Sequence, residues 1–359
     1  MKDSRDPRIL ERFYRFGDRV NKWIKRARVV DHAKVVSIGN ITTGGTGKTP
    51  AAIYFARLLQ SESYKIGVLS RGYGGTAMKE GGVLSDGKQL KLGHRESGDE
   101  PYLIAANLPG VPVAVGRSRY LSAVELRDNY DCNLFLLDDG FQHYALARDV
   151  DIVLIDAMNP FGNGHTLPHG ILREPIEALK RSDIVILTKT KLAESTEIQQ
   201  TVARISDMSG HQLVFMSNHE PTGLVQIPSE YKIGSKLKLQ KTSILNSETV
   251  WALSAIGSHR SFEKSLYQLG AAKVKSITYR DHYQYNEKDI ENLLKRVSPY
   301  DFVITTEKDW VKLREFSPAL EKLKNFFFLK IEFKILANEI LLKEGLKAKI
   351  IAGSMHQTR

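Results

Sequence analysis

From residue 34 onward the chain alternates short β-branched and apolar runs with segments whose apolar positions recur at helical spacing. The runs at 35–38, 66–69, 111–115, 134–137, 152–155, 184–187 and 213–216 predict strands, and 48–59, 100–107, 118–127, 174–181 and 195–208 predict helices between them. Alternation of this kind predicts βαβ units and a mostly parallel sheet with helices on both faces. The pattern breaks over 217–248, which is polar and turn-rich with short alternating runs, as expected of a β-ribbon connector. A second alternation follows, with strands expected at 250–255, 274–278, 302–306 and 326–331 and helices near 261–268 and 287–296. The domain expectation is therefore a first α/β domain over 31–218, a connector over 219–248, a smaller α/β lobe over 249–351 and a tail at 352–359.

Residues 1–30 carry a different pattern. Ile9, Phe13, Phe16, Val20, Trp23 and Ile24 fall within an arc of about 100° on a helical wheel, flanked by Arg8, Arg12, Arg15, Arg19, Lys22 and Arg26. A basic helix with an aromatic apolar face is suited to lying in a lipid interface, and packing of the same face on a core is the other reading. The segment is charged from residue 2 and has no apolar h-region, which excludes a secretory signal.

Composition sharpens this picture in two ways. The 359 residues carry a net charge of +11, which calls for an acidic partner. Residues 1–28 alone hold ten Lys or Arg and four acids, +6 of that total. Such concentration beside an apolar stripe favours an anionic membrane surface over nucleic acid. The single cysteine, Cys132, excludes an intramolecular disulfide and a multi-thiolate zinc site.

The most informative string is Gly39-Asn40-Ile41-Thr42-Thr43-Gly44-Gly45-Thr46-Gly47-Lys48-Thr49-Pro50, lying between a predicted strand and a predicted helix. A glycine loop in that context lets backbone N–H groups and a helix N-terminus converge on phosphate oxygens. Thr42, Thr43, Gly44, Gly45, Thr46 and Gly47 would cradle a nucleotide, Lys48 would reach its β/γ-phosphates, and the Thr49 hydroxyl would bind Mg²⁺. Thr42 stands where the standard pattern has glycine. The run 133–137 ends in Asp138-Asp139, as a Walker B strand does, and supplies one or two carboxylates for the metal. Thr188-Lys189-Thr190-Lys191 follows a strand where a guanine-reading motif would stand, with Lys191 in place of the acid. ATP is therefore preferred to GTP as the cofactor.

The strings GNITTGGTGKTP (39–50), VLSRGYGG (68–75), SGDEP (97–101), LDDGFQH (137–143), LPHGILREP (167–175), RDHYQY (280–285) and TEKD (306–309) together resemble the tetraacyldisaccharide 4′-kinase family of the lipid A pathway in Gram-negative bacteria. The resemblance implies transfer of the ATP γ-phosphate to the 4′-hydroxyl of an acylated disaccharide 1-phosphate, giving lipid IVA. It further implies a two-lobed α/β protein joined by a β-ribbon, acting at the cytoplasmic face of the inner membrane; a peripheral monomer is expected. By the same resemblance Asp99 is the candidate base and His282 its partner from the smaller lobe, so that closure would assemble the pair. Arg173 joins Lys48 among the candidate catalytic residues. Ser70, Arg119, Gln142, His143 and Arg173 are candidates for substrate contact. Glu307-Lys308-Asp309 serves either the nucleotide-side surface of the smaller lobe or a helix start. The alternative is a P-loop GTPase or metal-insertion chaperone of related fold, which would show guanine preference and His/Cys metal clusters.

Overall fold

The computed structural model describes residues 27–62, 64–210, 213–227, 232–234 and 237–356. The basic N-terminal helix expected over 1–30 lies almost wholly outside them. Among the described residues two compact units are present: 27–70, 118–218 and 334–356 form the first, and 71–117 with 219–333 the second.

In the first unit the strands run in the order Ile66–Ser70, Leu134–Asp138, Lys34–Asn40, Val150–Asp156, Ile184–Thr188 and then the start of Val214–Gln226, every neighbouring pair parallel. Leu134–Asp138 and Ile184–Thr188 are buried at every position, as a sheet covered on both faces requires. The apolar runs in the sequence are continuous for that reason. Helix Lys48–Gln60 buries Ala51, Ala52, Phe55, Ala56 and Leu59. Phe141, Val153, Ile155, Val185, Leu187 and Ile205 form a further core, against which Ile198 and Val202 of helix Ser195–Ser209 pack. The segment 174–181, expected as an α-helix, is a short 3-10 helix, Ile176–Arg181.

In the second unit the order is Lys273–Thr278, Thr249–Ser254, Phe302–Thr306, Asn325–Ile335 and the latter part of Val214–Gln226, with Leu239–Gln240 pairing antiparallel to the last. Val250, Ala252, Ile304 and Phe327 centre its core, with Phe262 and Leu266 from helix His259–Gln268. Strand Gly82–Ser85, which the sequence pattern missed, pairs antiparallel with Val113–Val115.

The units differ from the expected domains at two places. Residues 71–117 group with 219–333, although the reading from sequence put them in the first domain. Helix Asp99–Asn107 is buried at eight of nine positions, so its sequence has no apolar stripe to say which sheet it joins. Asn107 Nδ2 donates to Glu307 Oε1 (3.1 Å) and Lys308 Nζ to Glu100 Oε1 (2.9 Å), contacts 200 and 208 residues apart in sequence. The second difference is the C-terminus. The expected tail from 352 is, as far as His356, the last turn of helix Glu339–His356, which belongs to the first unit. Leu342, Leu346 and Ile350 are buried at four-residue spacing, and a β-carbon on Gly353 would stand 2.7 Å from Asp149 Oδ1.

Candidate functional site

Strand Lys34–Asn40 delivers the chain into the glycine loop, and helix Lys48–Gln60 leaves it. Gly47, the N-cap, has φ 89°, and Gly44 has φ 105°. These left-handed conformations cost a side chain energy but not glycine, which is why the bend is written with glycine. No side chain caps the helix, so its first N–H groups are left for an anion.

The structure narrows the cradle at its start. Thr43 donates both its N–H (2.7 Å) and its hydroxyl (3.2 Å) to the Ile171 carbonyl, and Thr42 bridges to Leu172. Asn40 Nδ2 donates to the hydroxyl oxygens of Thr42 (3.3 Å) and Thr46 (3.1 Å). Thr42 and Thr43, expected to hold nucleotide, fasten the loop to segment 166–173, which leaves Gly44–Thr49 as the candidate phosphate-facing part. That fastening also places Arg173, whose N–H donates to the Ile41 carbonyl (2.7 Å).

Asp138 and Asp139 occupy different environments. Asp138 is buried, and its Oδ2 accepts a hydrogen bond from Ser70 Oγ (2.9 Å). Ser70, expected at the substrate, therefore orients this carboxylate. Asp139, at φ 50°, turns outward with its side chain 32% exposed. Arg173 Nη1 contacts both of its oxygens, at 3.0 and 2.9 Å, and Lys48 Nζ lies 3.7 Å away. Burial alone would raise the Asp139 pKa, but Lys48 and Arg173, with Arg119 adding to them, hold it below the usual carboxylate value. Lys48, Arg173 and Arg119 thus surround one carboxylate beside the loop. Arg119 itself is buried at the start of helix Arg119–Tyr130, whose N-cap is Ser118.

Gln142 is committed to structure. Its Nε2 donates to the Asn40 carbonyl (2.8 Å) and to Glu174 Oε1 (2.9 Å). Glu174, which the sequence did not single out, is fully buried and also accepts from Tyr144 Oη (2.8 Å) and Arg181, whose guanidinium lies 3.7 Å from the Phe141 ring centroid. Removing one partner of a buried, hydrogen-bonded pair strands the other, so Glu174→Ala is expected to cost about 3 kcal/mol in denaturant unfolding. His143, half-buried, accepts through its carbonyl from Arg148 (2.7 Å).

The second unit holds the other cluster. Gly98, at φ 89°, turns the chain so that Asp99 opens helix Asp99–Asn107; a β-carbon there would lie 2.6 Å from the Tyr73 carbonyl oxygen. Asp99 Oδ1 lies 3.0 Å from His282 Nδ1, across 183 residues of sequence. The carboxylate is 2% exposed and the imidazole 26%, so the histidine is the accessible member. The pair lies within one unit, which corrects the expectation that two lobes contribute one residue each. His282 is at φ 60°, and the Tyr73 ring meets its edge at 5.4 Å.

Lysines surround this pair. Lys308 Nζ stands 3.4 Å from His282 Nε2, 3.8 Å from Asp99 Oδ2 and 3.2 Å from Asp281 Oδ1. Lys312, 1% exposed, lies 3.8 Å from Asp99 Oδ2 and 3.2 Å from Asp309 Oδ1. Burial would raise the Asp99 pKa; the His282 hydrogen bond and the lysines overcome it and hold the carboxylate well below its usual range. The same hydrogen bond raises His282 above its ordinary 6.5, against burial and Lys308. Glu307-Lys308-Asp309 proves to be a helix start: Thr306 caps Glu307–Leu313 by accepting from the Asp309 N–H. Lys312 gave no sequence signal, since a lysine in a short apolar helix reads as solvent-facing.

A family profile described as tetraacyldisaccharide-1-P 4′-kinase matches residues 11–350. The chain is 40% identical over 312 residues to the tetraacyldisaccharide 4′-kinase of Syntrophus aciditrophicus (strain SB), covering 84% of this chain and 80% of that one. It is 39% identical over 282 residues to the protein of the same name from Desulfatibacillum aliphaticivorans, covering 78% and 74%. Among solved structures it is similar to the "apo" form of LpxK from Aquifex aeolicus in complex with ATP, with a TM-score of 0.69, 28% identity, and coverage of 95% of this chain and 96% of that one. With a phosphate-binding loop and a buried Asp–His pair set in a fold matched along almost its whole length, this chain belongs to the tetraacyldisaccharide 4′-kinase family.

Proposed function

We propose that the protein transfers the γ-phosphate of ATP to the 4′-hydroxyl of tetraacyldisaccharide 1-phosphate, with the Gly44–Thr49 loop holding the triphosphate and the Asp99–His282 pair receiving the acceptor's proton. The observation that carries this reading is the open helix N-terminus behind Gly47 with Lys48 beside it, in a chain of this kinase family. Phosphoryl transfer asks little covalent chemistry of a protein and much positioning and charge neutralisation. Lys48, Arg173 and Arg119 supply that charge around Asp139. Asp99, the base in the sequence reading, is 2% exposed, so His282, which it orients and which is the more accessible of the two, takes the proton on the pair's behalf, with Lys308 Nζ 3.4 Å from its Nε2. The GTPase or chaperone alternative is not favoured, because the family match runs over residues 11–350.

Magnesium fits the residues present. The donors at the loop are all oxygens, the Thr49 hydroxyl and the Asp138 carboxylate, while both oxygens of Asp139 are held by Arg173; Mg²⁺ is held by one or two carboxylates together with substrate phosphates. Bound there, the ion would neutralise charge on the β- and γ-phosphates. Labelled phosphate from γ-labelled ATP should appear on tetraacyldisaccharide 1-phosphate in detergent micelles; label released only as inorganic phosphate would refute the acceptor assignment.

We further place the enzyme peripherally at the cytoplasmic face of the inner membrane, acting as a monomer. Among the described residues no helix is long and apolar enough to cross a membrane. The acylated substrate resides in lipid, and the basic aromatic pattern of residues 1–28 is suited to meeting it there. Deleting residues 1–28 should weaken co-sedimentation with anionic vesicles several-fold, and unchanged sedimentation would assign those residues to another role.

A further inference from the structure

The segment Thr188-Lys189-Thr190-Lys191 stands where a guanine-reading motif would be, yet its first two side chains point at the phosphate loop. Lys189 Nζ donates to the Gly45 carbonyl (2.6 Å) and to Asp156 Oδ2 (2.5 Å). Thr188 Oγ1 donates to the Thr46 carbonyl (2.9 Å), with the Ile155 carbonyl at 3.3 Å. Both residues are buried, and Lys189 takes a left-handed backbone, φ 58°, that a β-carbon disfavours. An ordinary surface lysine would have no reason to hold that conformation.

From this we infer that Lys189 and Thr188 are positioning residues for nucleotide binding, which fix the peptide planes of the phosphate loop by holding its Gly45 and Thr46 carbonyls. A trans peptide is planar, with its C=O and N–H pointing to opposite sides. Holding the Gly45 carbonyl toward Lys189 sets the direction of the Thr46 N–H, which closes a tight turn on the Gly44 carbonyl (3.1 Å). Holding the Thr46 carbonyl toward Thr188 sends the Gly47 N–H away from the strand ends, to the side where the helix N-terminus opens. A glycine-rich loop loses much conformational entropy on being ordered. With its carbonyls already held by Ile184–Thr188 and Lys189, the loop meets phosphate with that cost largely met beforehand, and tighter binding follows. Asp156, at the end of Val150–Asp156, keeps the buried ammonium paired and in place.

The inference rests on ATP occupying the loop, and titration of the wild-type protein with ATP tests that separately. Lys189→Met removes the tie but also strands Asp156, so it should lower the melting temperature and weaken ATP binding together. The double variant Lys189→Met/Asp156→Asn removes the stranded charge, since Asp156 then needs no cation. Calorimetric titration with ATP is expected to show about tenfold weaker binding for both variants, while the melting temperature largely recovers in the double variant. The KM for ATP should rise and the KM for the lipid acceptor should not. Thr188→Val, which disturbs no charge, is expected to weaken ATP binding several-fold. Wild-type ATP affinity in the double variant or in Thr188→Val would overturn the inference and leave Lys189–Asp156 as a structural ion pair. Absence of ATP binding in the wild type would instead remove the nucleotide reading itself.

Discussion

Lys48→Ala is expected to lower kcat by about 10²–10³-fold while changing the melting temperature by only a few degrees. The size follows from where the charge sits. A fixed cation aimed at developing phosphate charge acts in a partly water-excluded site, and removing one such contributor typically costs two to three orders of magnitude in rate. The small thermal effect follows from its partners. Lys48 is 3.7 Å from a single carboxylate, Asp139, which Arg173 already holds through both oxygens at 3.0 and 2.9 Å. Its loss therefore leaves no stranded buried charge. Steady-state kinetics with saturating ATP, together with a thermal melt, checks both parts. Turnover within a factor of a few of wild type would show that the loop is not where the transferred phosphate is held.

The second large effect concerns the Asp99–His282 pair. Each single alanine variant should lower kcat by about 10²–10⁴-fold, the range for loss of a positioned base, with a much smaller change in KM for ATP. The two losses should not add, because an unoriented histidine and an absent one fail in the same way. The pH profile gives a sharper reading. His282 must be neutral at Nε2 to accept a proton, and its pKa is raised above 6.5 by the hydrogen bond to Asp99. Activity should fall as pH drops through that raised value. In Asp99→Asn the raising interaction is gone, so the acidic limb should move to lower pH even as kcat falls. A limb that stays in place would mean that another group titrates.

Stability carries the opposite pH signatures for the two partners. His282, raised in the folded state, contributes stability that is full below 6.5 and is lost as pH climbs through the folded value. Asp99, depressed, contributes stability that is full above its unfolded value and is lost only in strong acid.

Much of this site could be read along the chain. Gly44, Gly47, Lys48 and Thr49 act through a loop that is local in sequence, and so they were legible as a string. Asp138 and Asp139 follow a continuous apolar run for the same reason. Gln142 and Ser70 were placed at the substrate because they fall inside motifs, yet each is spent holding a buried carboxylate. Motif membership marks a residue as part of a constrained region without saying whether it faces ligand or protein. Lys189 and Lys312 could not be read, since a lysine's environment is set by chain segments far away in sequence.

The sequence by itself determined most of the elements, the glycine bend and the chemistry of that bend, because periodicity and positive φ are properties of neighbouring residues. Only the tertiary structure decided which unit residues 71–117 join, that Asp99 and His282 share one unit, and which cation meets which carboxylate. Those outcomes depend on burial, and a buried charge is stable only beside a partner that packing brings to it from elsewhere in the chain.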